Sequence, residues 1–179
     1  MATCLRLVGV SLVVLAVAFP AAAQGRERVE VGASLVNLMV VIPQGGDTSV
    51  LFGVPSGGGL LSPSLYAAIF VAPRFAIEPQ VGLLVISSGG TTTHALNVAG
   101  QVDYFLNGYA TTSPYVFGAV GLDAVSNSDT SKQFTGGAGY RIRFGDRLVL
   151  RIDGRFTHFT NGNGNGVGFN LSIGGIFGT

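Results

Sequence analysis

The stretch Arg155–Gly166, RFTHFTNGNGNG, holds one of only two histidines in the chain, two residues ahead of a hydroxyl and close to an amide: His158, Thr160 and Asn161. An imidazole within reach of a hydroxyl is the minimum for nucleophilic hydrolysis. The same letters also describe a β-strand that ends in an Asn-Gly turn. The choice depends on which way the strand carrying His158 faces. Other reactive side chains are scattered. His94 opens a second strand-like run beside Gly-Gly-Thr-Thr-Thr, with no Cys, His or acid at metal-ligand spacing. The glycines at 57–59 are not followed by Lys-Ser/Thr, so no phosphate loop is present. No metal or other cofactor is expected.

The beginning of the chain reads as a leader. Arg6 precedes the apolar run LVGVSLVVLAVAF at 7–19, and Pro20 is followed by AAAQ. A charged start, an apolar segment too short to span a bilayer and small residues at a cut site describe a secretory signal peptide. The expected division is residues 1–23 as signal peptide and 24–179 as one barrel domain. Cleavage would remove Cys4, the only cysteine, and with it any disulfide or thiolate chemistry. It would also remove Arg6, leaving nine Lys+Arg against nine Asp+Glu. Such a balance gives no electrostatic reason to expect nucleic acid as a partner. Charged residues make up 11% of the chain and mean hydropathy is +0.51, yet no apolar run after the leader is long enough for a membrane helix.

What recurs instead is alternation with period two. In RLVLRIDGRFTHFT, Leu148, Leu150, Ile152 and Phe156 share one face, and Arg151, Asp153 and Arg155 share the other. In KQFTGGAGYRIRF, Phe134, Tyr140, Ile142 and Phe144 oppose Gln133, Arg141 and Arg143. Segments 167–177, 93–106, 75–85, 114–126 and 28–36 follow the same rule, the last with Val29 and Val31 against Arg28, Glu30 and Ser34. Segment 64–72 is apolar on both faces, which leaves its orientation open. This makes about eight strands, most of nine residues or more, whereas strands of soluble domains usually run near five or six. Segments 43–62, 88–91, 127–131 and 161–166 read as loops at one end. Pro73-Arg74, residues 107–113 and Gly145–Arg147 form the mostly tighter connections at the other.

Two features orient the faces. The polar face carries few charges and many small residues, which suits a narrow lumen. Aromatics gather at strand ends on the apolar face: Phe75, Tyr104, Phe144 and Phe177 by the turns, and Phe134, Phe156 and Phe169 by the loops. This is the distribution of interfacial girdles. The fold class expected is all-β, a closed antiparallel up-and-down transmembrane barrel in the outer membrane of a diderm bacterium. The whole chain after the leader resembles the small outer-membrane barrels of the OmpA/OmpX type. In that family an aromatic at the chain's end is recognised by the barrel-insertion machinery, here Phe177 followed by Gly178-Thr179, and outer-membrane lipid and lipopolysaccharide are the surroundings. The inward charges are then Arg28, Arg141, Arg143, Arg151 and Arg155 against Glu30, Glu78, Asp103, Asp123 and Asp153. In a barrel wide enough only for its own side chains, these should pair into a plug. The expected role is structural, or surface interaction through the loops.

By parity His158 and Thr160 share the lipid face with Phe156, at the loop end. There HFTNGNGNG is similar to the lipid A 3-O-deacylases, whose outward His-x-Ser pair precedes an asparagine. The resemblance implies His158 as general base, Thr160 as nucleophile and Asn161 as oxyanion contributor. Threonine stands where the family has serine, and no acid follows the loop, where the sequence reads Gly168-Phe169-Asn170-Leu171. The stretch is therefore read as a strand cap, with acyl-ester hydrolysis of lipid A as the alternative. A soluble periplasmic barrel around an apolar ligand is the other alternative.

Overall fold

The computed structural model describes residues 29–42, 48–53, 65–88, 91–108, 112–125, 130–160 and 164–177. The leader, Arg28 and Asn161 lie outside the described residues. Nine strands follow in chain order: β1 Val29–Ile42, β2 Ser49–Gly53, β3 Leu65–Ala72, β4 Phe75–Ser88, β5 Thr91–Phe105, β6 Ser113–Val125, β7 Ser131–Phe144, β8 Leu148–Phe159 and β9 Asn165–Phe177. All neighbouring pairs are antiparallel, and β9 returns to pair with β1, so the sheet closes on itself. β2 and β3 both pair with β1, at Asn37–Val41 and Val29–Ala33 respectively, and so occupy one position in the ring. The result is an eight-position barrel in which no helix occurs among the described residues.

The residues explain the form. Val, Ile and Phe at alternate positions favour a pleated, half-covered surface, while glycine spread along the chain disfavours helix. β1 needs one irregularity. Its register to β9 shifts between Ser34 and Val36, leaving Leu35 as the extra residue. Glu30 and Ser34 point inward before this bulge, and Met39 points inward after it. At the turn end, β7 and β8 are joined through three residues, with Phe144 opposite Leu148 and Gly145 at φ 60. A positive φ there suits the residue that lacks a Cβ.

Two expectations about loops are corrected. Residues 43–62 are not all loop: β1 runs to Ile42 and β2 lies within the segment, because Val50 and Leu51 pair with Val40 and Met39. Of residues 88–91, Ser88 and Thr91 are already paired strand residues, the last of β4 and the first of β5. Segment 64–72, left open by its sequence, turns Tyr66, Ala68 and Phe70 into the barrel and Leu65 and Val71 out.

Candidate functional site: the filled lumen

Arg151 is the hub of the buried charges, in the turn-end half of the lumen. Strand β8 turns Val149, Arg151, Asp153 and Thr157 inward, while Leu148 and Phe156 face out. Arg151 Nε donates to Glu30 Oε1 at 2.7 Å and Nη1 to Glu78 Oε2 at 2.5 Å, and Nη1 lies 3.5 Å from Asp103 Oδ2. Glu30 also accepts from Arg141 Nε at 2.8 Å and from the Tyr66 hydroxyl at 2.9 Å. These side chains are at most 3% exposed, apart from Tyr66 at 7%. A buried guanidinium with three carboxylate neighbours is a strong anchor only as a set. Each partner is costly to leave alone.

The rings come from positions that the charge pattern concealed. Tyr66, Phe70, Phe105, Tyr115 and Phe117 are buried and form one cluster with Ala68 and Ala76. Arg151 lies 4.7 Å from the Tyr66 ring centre and 5.7 Å from that of Tyr115, while Arg141 lies 5.6 Å from Phe70. The expectation of a lumen lined by small polar residues therefore needs correction at the turn end. A signal was available: Phe105 shares parity with Asp103, and Tyr115 and Phe117 share parity with Asp123. Glycine on the facing strand lets the rings in. A Cβ on Gly139 would stand 2.7 Å from the Tyr115 ring and from the carbonyl oxygen of Ile152.

Toward the loop end the contacts change. Arg155 pairs with Asp153 at 2.5 Å, and Tyr115 and Asn170 also donate to Asp153 at 3.2 and 3.0 Å. Asp123 accepts from the amide of Asn97, and Thr135 and Thr157 share a hydroxyl contact at 2.9 Å. Arg143 sits at the rim instead, with Nε donating to the Gly145 carbonyl at 2.9 Å and Nη2 pairing with exposed Asp146 at 3.3 Å. Arg28, the fifth expected inward cation, lies outside the described residues. Among the described residues five buried carboxylates face three interior guanidiniums, those of Arg141, Arg151 and Arg155.

His158 and Thr160 lie apart from this network. His158 is exposed on the outer face, and its Nδ1 lies 2.8 Å from Asn165 Oδ1. The Thr160 hydroxyl contacts the Lys132 backbone, 3.1 Å from its N–H and 3.2 Å from its carbonyl oxygen. That hydroxyl thus serves to stitch β7 to the end of β8. His94 is in β5 opposite Val85, and no cluster of three metal-ligating side chains occurs among the described residues.

Neither a protein-family model nor a curated protein matches the sequence. Solved structures do resemble the fold. The N-terminal β-barrel domain of Pseudomonas aeruginosa OprF aligns over 86% of this chain and 100% of its own, with TM-score 0.57 and 15% identity. Neisserial surface protein A aligns over 87% and 98%, with TM-score 0.55 and 16% identity. The attachment invasion locus protein Ail of Yersinia pestis aligns over 86% and 100%, with TM-score 0.51 and 8% identity. The shared feature is the small eight-stranded barrel known from the outer membrane.

Proposed function

We propose that this chain is an integral outer-membrane barrel with a closed, charge-filled lumen, acting structurally or through its loops. The supporting observation is the inverted distribution of side chains. Val120, Phe156 and Phe177 are 59%, 51% and 61% exposed on the outer wall, while Glu30 and Arg151 are 0% and 2% exposed within. In water such a wall would be a very large apolar patch, whereas acyl chains match it. Closure of β1 on β9 satisfies the edge that hydrocarbon cannot. Strands of 12 to 15 residues in β4 to β9, apart from their tilt, give ample height for the apolar band of about 25 Å that such barrels need.

On this reading outer-membrane lipid, including lipopolysaccharide, surrounds the barrel, and Phe177 serves its recognition by the insertion machinery. A soluble barrel around an apolar ligand would require an apolar interior. The described lumen cavities offer only about 10 Å³ each and are lined largely by polar side chains. The test is a gel of unheated and boiled samples in detergent, together with planar-bilayer recording. Migration that changes on boiling, with no stable single-channel current, is expected. Unchanged migration with recovery in the soluble fraction would end the membrane reading, and stable currents would end the closed lumen.

A further inference from the structure

Arg151 has one nitrogen left over. Nε and Nη1 reach Glu30 and Glu78, but Nη2 has no hydrogen-bond partner although the residue is 2% exposed. Asn170, 4% exposed, is in the complementary position. Its Nδ2 donates to Asp153, while Oδ1 has no partner. The two residues are diagonal neighbours on one face of the β8–β9 ladder, since Arg151 pairs with Ser172 and Asp153 with Asn170. Both line a single lumen cavity of about 10 Å³. A buried donor and a buried acceptor left empty would each be destabilising.

We propose that this cavity binds one structural water, which accepts from Arg151 Nη2 and donates to Asn170 Oδ1. Size and chemistry select this ligand. A cavity near 10–15 Å³ holds about one water, and a buried water needs two to four polar partners. A cation would meet the guanidinium of Arg151, with Arg155 also in the wall. An anion would meet Glu78 and Asp153 in the same wall, with Glu30 directly behind Arg151. Ser172 and Gln101 line the cavity as well and offer further oxygens. A second cavity of the same size shares Gln80, Gln101 and Arg155 with the first and continues to Gln133, Thr135 and Thr157. Phe70 and Phe105 pack at the opposite end. The water therefore exchanges with bulk from the loop side. It holds the free edge of the central guanidinium in place, and lysine could not reproduce that geometry.

This inference needs the barrel but not the membrane. Its test is water-to-protein magnetisation transfer by NMR on the folded, isotope-labelled full chain. The expected result is transfer to the Arg151 guanidinium in the unmodified protein, persistence in Asn170→Ser, and loss in Asn170→Leu with the Glu30 and Glu78 contacts intact. No transfer in the unmodified protein would overturn the site. Equal transfer in Asn170→Leu would equally overturn the assigned acceptor. The unmodified protein decides the first point even if a variant fails to fold.

Discussion

At the turn end of the lumen Arg151 meets three carboxylates and lies among aromatic rings, whereas at the loop end Asp123 is held by the Asn97 amide and two threonines share a contact. The first region is charged, dense and built from rings seated on glycine. The second has one ion pair, Arg155 with Asp153, beside amide and hydroxyl contacts, is lined mainly by Gln and Thr, and contains one of the small cavities. The contrast shows where the interior is intolerant. Several charges and rings that share partners behave as one unit, while an isolated pair such as Thr135 with Thr157 can be lost separately.

The sharpest test removes the hub. Arg151→Met should cost about 3–5 kcal/mol, because buried Glu78 and Asp103 lose their Arg151 partner and Glu30 keeps only Arg141 and Tyr66 of the three groups that hold it. Urea titration of the refolded protein, followed by folded and unfolded gel bands, measures it. Arg155→Met should cost distinctly less, and equal losses would break the contrast. Next come two glycines. Gly139→Val should lose about 1–3 kcal/mol by overpacking, since ring and backbone both block the new side chain. Gly121→Ala, in the other half, meets mainly the flexible Gln133 and Ala99, and should cost much less in the same titration. A smaller effect is expected from Thr135→Val, about 0.5–1.5 kcal/mol for one hydroxyl pair. Smallest of all is His158→Ala on the outer surface, within about 0.5 kcal/mol. Lipid A mass spectrometry should show the same acyl pattern with and without that substitution. A change would favour the hydrolytic reading.

Much of this plan was legible in period two. Leu150, Arg151, Ile152 and Asp153 alternate so cleanly that both face and register follow. β2 was not legible, because Ser49–Gly53 lies among glycine and serine and owes its extension to pairing with β1. The rings of β3 and β6 were concealed for another reason. Phe70 and Tyr115 point inward beside apolar neighbours that point outward, so hydropathy showed no contrast there. For the charges, sequence revealed which side they take but not how they divide. Arg143 has the parity of Arg141, yet its side chain curls onto the Gly145–Asp146 turn. Thr160 likewise shares the parity of His158, but only coordinates reveal that its hydroxyl is committed to Lys132.

The ladder between β1 and β9 joins Val29 to Phe177 and Ile42 to Asn165, nearly the full described chain apart. Pairings so distant in sequence carry a large loop-closure entropy and form slowly. Until the last strand arrives, β1 keeps a bare edge, a template for aggregation. Such a chain gains from being escorted unfolded and completed in one late step, so its vulnerable interval lies between synthesis and the meeting of its first and final strands.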